Sequence, residues 1–186
     1  MALLFALAAV GARQAAMEVY GADGAPPNLV TVHVRWGDKA QDHVVLQPIS
    51  VYVDAVDTLV RAHLPGVPSR DVSVFVTTED GAAVDAFRDA VRARQWKVYV
   101  YEAAILQNSK RQPGPNGSTA VLNVSPKTSA AKQGGWAGVH SVVSLLLALE
   151  AKLYVVTAVG MSSSNWGRIV DELRMAFVPD SFGVRV

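Results

Sequence analysis

The chain has 186 residues, room for one hydrophobic core, and 51% hydrophobic against 18% charged residues with a mean hydropathy of +0.22 excludes a disordered chain. Seventeen basic against sixteen acidic residues leave a formal charge of +1, so the strong basic field that gathers nucleic acid or anionic lipid is absent. With no cysteine there is no disulfide, thiolate nucleophile or Cys-ligated zinc, and the four histidines (His33, His43, His63 and His140) form no helical pair at metal-ligand spacing.

The N-terminal apolar run from Ala2 to Val10 is far below the roughly 20 residues that a membrane-spanning helix needs. Leu3, Leu7, Val10 and Met17 recur at helical spacing and predict a helix from about residue 2 to 19, with Gly11 as a weak point inside it. The alternative is a signal-peptide core, with Ala15 and Ala16 as small residues before a cut, although no basic residue precedes the run and Arg13 follows it. After the turn-rich stretch Gly21 to Asn28, Leu29 to Arg35 reads as a strand. Pro48 to Leu64 reads as a helix carrying Ile49, Tyr52, Val53, Val56 and Leu59 on neighbouring faces.

The cycle then repeats: strand Val72 to Thr78, helix Ala82 to Arg94, strand Lys97 to Tyr101, helix Trp136 to Ala151, strand Leu153 to Thr157 and helix Ser164 to Phe177. Strands alternating with helices predict a doubly wound α/β domain, a parallel sheet covered on both faces, spanning residues 1 to 186 as one unit. Residues 107 to 135 break the cycle, because Gln, Asn, Ser, Lys, Pro and Gly crowd together there and no period survives. That stretch is expected to be a flexible surface loop, and it carries the acceptor sequons at Asn116 and Asn123, which matter only in the secretory pathway.

The chemistry gathers at the predicted carboxyl ends of the strands. Thr31, His33 and Arg35 alternate with Val30, Val32 and Val34, so His33 and Arg35 share one face at the edge where open parallel sheets bind ligands. An edge strand with one solvated face would give the same pattern. Trp36-Gly37-Asp38-Lys39 follows as a turn that brings two opposite charges next to Arg35. At the last strand, Ser162, Ser163, Ser164 and Asn165 lead into a helix, a place where free N–H groups and hydroxyls converge on an anion. Arg168 sits in that helix's first turn, against the macrodipole, where a bound phosphate would relieve its cost. The plain alternative is a serine cap with Arg168 paired to Asp171 or Glu172. Thr77-Thr78-Glu79-Asp80 ends the second strand, with Thr78 or Asp80 as a helix cap; Glu79 and Asp80 lack a third oxygen ligand nearby, so no metal is expected. There is no Gly-x-Gly-x-x-Gly after a strand and no Walker lysine loop.

The run Val32 to Lys39, followed by Gln47-Pro48-Ile49 and Tyr52, resembles the first donor-site motif of the GDP-fucose-dependent fucosyltransferases, in particular the α1,6-fucosyltransferases and their nodulation-type and protein O-fucosyl relatives. Phe75 to Asp80 is similar to the family's strand with Thr-Asp-Asp, and Ser163 to Leu173 to its Ser-Ser-Gln/Asn helix start. The resemblance covers roughly residues 28 to 178 and implies the donor-binding half of a two-domain GT-B fold, without the acceptor-side half that precedes it in relatives. It implies an inverting, metal-independent transfer from GDP-fucose to a glycan or protein hydroxyl, with no cofactor, in the Golgi or endoplasmic reticulum lumen.

By the same resemblance His33 meets the guanosine part of the donor, Arg35 the β-phosphate, and Ser163 and Ser164 the diphosphate, with Asp38, Asn165 and Arg168 completing the donor set. Arg35 and Lys39 join Asp42 or His43 as the catalytic group; His43 stands where relatives carry a glutamate proposed as base. Trp36 replaces the family's second arginine, and Ser144 stands where an acidic residue usually reads guanine. Tyr52, Glu79, Asp80 and Ser144 are further candidates. The altered positions and the missing first half leave open a non-catalytic or truncated nucleotide-sugar-binding module.

Overall fold

The structure, a computed structural model, describes residues 2–36, 47–105, 110–113, 119–122, 136–156, 165–178 and 180–186. In chain order these form α1 (Ala2–Tyr20), β1 (Leu29–His33), α2 (Ile49–His63), β2 (Ser73–Thr77), α3 (Gly81–Val91), β3 (Lys97–Val100), β4 (Lys110–Pro113), β5 (Thr119–Leu122), α4 (Trp136–Ala148), β6 (Leu153–Val156), α5 (Asn165–Phe177) and β7 (Phe182–Arg185). Five strands make one parallel sheet in the order β3-β2-β1-β6-β7. The chain is therefore a doubly wound α/β domain, as the alternating pattern predicts.

Period-two alternation sorts the strands' side chains between two apolar layers. Val30, Val32, Val34, Val74, Val76 and Val155 face α2 and α3, where they meet Val53, Val56, Leu59, Val84 and Phe87. Leu29 and Phe75 face the other way, toward Ala15 and Tyr20 of α1 and Val143, Leu147 and Ala148 of α4. β1 and β2 are buried at all five positions, as strands covered on both faces must be. β1 lies at the centre of the sheet, so its Thr and His are not the solvated face of an edge strand. α1 packs on α4 and is part of the fold's second layer. Among the described residues, no helix is long and apolar enough to cross a membrane.

The carboxyl end of α4 is a junction. A tight closing turn occupies some of its last carbonyls, and side chains from three other elements meet the carbonyls at and just past its end. The Tyr20 hydroxyl donates to Leu147 O at 3.1 Å, Thr31 Oγ1 to Ala148 O at 2.8 Å, and the Arg174 guanidinium to Ala148 O at 2.6 Å and Ala151 O at 2.5 Å. Arg174 is 1% exposed, and its guanidinium lies 4.3 Å from the centre of the Tyr154 ring. Burial pushes its pKa down to about 10, which still leaves it a cation at neutral pH, complementary to the negative end of α4. Tyr154 also lies against the Gly183 backbone so closely that a Cβ there would penetrate its ring.

Three strands were not expected from the sequence. β7 adds a parallel edge strand beyond β6, and β4 pairs antiparallel with β5 inside the stretch expected to be an irregular loop. Residues 110–113 and 119–122 thus form a ribbon, and both sequons, at Asn116 and Asn123, fall outside the described residues. The α3 helix is shorter than its apolar pattern suggests, because Arg92–Arg94 tighten into a 3-10 turn that Gln95 ends in the left-handed region at φ 60°.

Candidate functional site at the carboxyl edge of β1

Strand order reverses at β1: β2 and β3 lie on one side of it, β6 and β7 on the other. In open parallel sheets the two loops leaving such a point diverge to opposite faces and open a crevice at the carboxyl ends. His33 is the last residue of β1, and Arg35 follows two residues later on the same face by alternation.

His33 is 5% exposed and pairs in register with Thr77, whose Oγ1 lies 3.0 Å from its Nδ1. Burial pushes its pKa down to about 3, and the nearby Arg35 charge pushes the same way against a bond to Thr77. The imidazole is therefore neutral across the physiological range. Continuing the β1–β2 register by two residues brings Arg35 opposite Glu79, and its guanidinium Nη1 lies 3.4 Å from Glu79 Oε2. Arg35 is mostly buried and Glu79 substantially exposed, so solvent screens the pair from the Glu79 side.

The neighbouring carboxylate has a different task. Thr78 Oγ1 accepts the Asp80 N–H at 3.1 Å, and Asp80 Oδ1 accepts the Ala82 N–H at 2.9 Å, capping α3. Asp80 is thereby turned into the helix start and away from a shared site with Glu79. Among the described residues no three His, Asp or Glu side chains gather in a way that would hold a metal.

At the carboxyl ends of β1 and β2 lies a small cleft lined by His33, Thr77, Thr78, Glu79, Ala104, Ser141 and Ser144. Ser144, 6% exposed, and Ser141 come from one face of α4, a helical turn apart. The cleft's free volume is about 30 Å³. Among the described residues its lining is mostly hydroxyls and the His33 imidazole, with the Glu79 carboxylate as its charged group.

No protein-family model, curated protein or solved structure matches the chain. The functional reading therefore rests on the sheet order and the residues at its carboxyl edge.

Of the residues singled out in the sequence, the fold brings together His33, Arg35, Glu79 and Ser144. Tyr52 is elsewhere: it is fully buried among the apolar residues between α2 and the sheet, on the face opposite His33, and is a core residue. Trp36 donates its indole N–H to Gln47 O at 3.0 Å, which ties the two ends of the 37–46 segment together. Asp38, Lys39, Asp42, His43, Ser163 and Ser164 lie outside the described residues, and Asn165 and Arg168 fall in the first turn of α5. Asp171 takes Arg185 and the Tyr154 hydroxyl as partners. Ser141 and the Arg35–Glu79 pairing were missed. The signal for Ser141 was its three-residue spacing from Ser144; the signal for the ion pair was the register that β1 and β2 share.

Proposed function

We propose that the chain is a donor-binding domain of GT-B type that takes GDP-fucose in the crevice above β1 and β6. In this reading it serves transfer of fucose to a glycan or protein hydroxyl in the Golgi or endoplasmic reticulum lumen. The observation that carries the reading is Arg35, a cation in register with Glu79 at the strand-order reversal of a parallel sheet. In the reaction the acceptor oxygen forms a bond to the fucose anomeric carbon as the bond to the β-phosphate oxygen breaks, and the configuration inverts. The electron pair of the broken bond leaves on GDP, and the acceptor proton passes to Asp42 or His43. Arg35 offsets the charge gathering on the leaving phosphate through charge-assisted, potentially bidentate hydrogen bonds, so no metal is required for that task. His33, neutral and two residues earlier on the same face, contacts the nucleoside.

Titration calorimetry with GDP and GDP-fucose, with and without EDTA, tests the reading. Arg35→Ala is expected to weaken GDP binding by about 10- to 150-fold, the equivalent of about 1.5 to 3 kcal/mol for hydrogen bonds to a charged group. Arg35→Lys keeps the charge but loses the fork and recovers only part of the loss. Near wild-type GDP affinity in a folded Arg35→Ala protein refutes the donor-site assignment, and abolition of binding by EDTA refutes metal independence.

A second reading is favoured by one observation: Trp36, at the position of the family's second arginine, spends its only polar group on Gln47 O. That position then supplies no cation to the donor, as expected of a module that binds a nucleotide sugar without transferring it. GDP release from GDP-fucose in the presence of acceptor glycans separates the two.

A further inference from the structure

We infer that the outer face of α1 is a self-association surface, on which two copies of this chain pair their α1 helices in parallel about a two-fold axis. The inference stands apart from the nucleotide-binding reading and uses none of the residues at the carboxyl edge of the sheet.

The two faces of α1 have different fates. Ala12, Ala15, Ala16, Val19 and Tyr20 pack into the apolar layer shared with α4. Spacing places Leu3, Leu7, Val10, Gln14 and Met17 on the opposite stripe, at alternating intervals of four and three residues. The periodicity that predicts this helix is therefore not that of the face the domain buries: Val10 is 71% and Met17 61% exposed, and Gln14 is exposed with them. A stripe that faces a globular core is wider. Strict four-three alternation is the narrow seam by which one helix meets another.

The charges that flank the seam select the occupant. With Val10 and Met17 at heptad position d and Gln14 at a, Arg13 falls at g and Glu18 at the following e, and both are exposed. In a parallel pair each g residue faces the next e residue of the other helix. Arg13 of one copy then meets Glu18 of the second, and the two-fold axis repeats the pair on the far side of the seam. An antiparallel pair sets g against g and e against e, which matches like charges. Within one helix Arg13 and Glu18 do not stand at pairing distance, and neither forms an ion pair with another described residue of its own chain. The face is thus complementary to itself. Gln14, a polar residue at a single a position, faces its own equivalent and fixes the register at a cost in stability. The seam and the α4 contact lie on opposite sides of α1, so the two domains sit on the outer flanks of the helix pair.

Sedimentation equilibrium on the full chain tests the pairing. The wild type is expected to pass from the mass of one chain, 19.8 kDa, toward twice that mass as its concentration rises from about 1 to 100 µM. Arg13→Glu and Glu18→Arg each set like charges across the seam and should weaken self-association by about fivefold or more. Mixed in equal amounts, these two variants should form a heterodimer as tight as the wild-type dimer, because every facing pair is then opposite in sign. Gln14→Leu should tighten the dimer by about tenfold, and Met17→Glu should leave a monomer. All of these side chains are exposed in the single chain, so thermal unfolding of dilute samples should match the wild type and show that each variant is folded. A wild-type chain that keeps the mass of one copy throughout overturns the proposal, as does uptake of that monomer by phosphatidylcholine vesicles, which assigns the stripe to lipid. Dimers that are indifferent to the charge changes, or single variants that fail to rescue each other, overturn the parallel α1 pairing and place the contact on another face.

Discussion

His33 makes stability depend on pH in a way that can be worked out in advance. Its ring is 5% exposed and its pKa is pushed down from 6.5 to about 3, chiefly by burial. The folded protein therefore does not bind a proton there until well below pH 6.5, while the unfolded chain does. The unfolded state gains protons as pH falls, so stability is fully present above pH 6.5 and is lost progressively toward pH 3. One group contributes at most about 1.4 kcal/mol per pH unit, and since the unfolded histidine is only half protonated at pH 6.5, the whole fall from pH 7.5 to 4.5 amounts to about 3 kcal/mol. The comparison protein is His33→Asn, whose short amide reaches toward Thr77 Oγ1 from near the Nδ1 position and does not titrate. Urea unfolding followed by tryptophan fluorescence, with the buried Trp96 as a reporter, measures both proteins at pH 7.5, 6.5, 5.5 and 4.5. The difference between them cancels the carboxylates and the other histidines. It is expected to shrink by about 3 kcal/mol as the pH falls to 4.5; curves that run parallel would refute the buried, neutral state of His33.

Gly183→Ala is expected to destabilise by about 1–3 kcal/mol, because the new methyl group overlaps the Tyr154 ring and the edge strand must shift to admit it; thermal unfolding reads the effect. Arg174→Met keeps much of the buried volume but strips the donors from Ala148 O and Ala151 O, so a loss of about 2–4 kcal/mol is expected in urea titrations; a neutral outcome would show that water replaces the guanidinium.

Much of the fold was legible because its signals are local. Val30, Val32 and Val34 alternate with Thr31 and His33, and the apolar stripe from Ile49 to Leu59 is long enough to place α2 without any tertiary information. β7 was not legible, since Phe182–Arg185 is short and its burial pattern is mostly exposed; it is a strand because β6 offers an edge and Phe182 stacks on His63 at 4.2 Å. β4 was hidden by its own composition, Lys-Arg-Gln-Pro, which has no apolar alternation. At the site, His33 and Arg35 were legible from period two. The partner of Arg35 was not, because the sequence offers Asp38 three residues away, while Glu79 becomes its neighbour only through strand register. Arg174 reads in the sequence as an ordinary cation in a last helical turn, and only the packing of α5 against the end of α4 explains its burial.

The junction at the end of α4 also sets an order of assembly. Tyr20 and Thr31 meet their acceptors 127 and 117 residues further along the chain, whereas β1, β2 and β3 with α2 and α3 are contiguous neighbours. On a ribosome adding about 5–20 residues per second, Thr31 waits roughly 6 to 25 seconds for its acceptor to be made. The α2/α3 side of the sheet can close during that interval, but on the opposite face α1 covers Phe75 only through Tyr20, and the rest of that layer waits for Val143, Leu147 and Ala148 of α4. Synthesis therefore passes through a half-covered sheet, and it is this species, more than the finished domain, that offers apolar surface for aggregation.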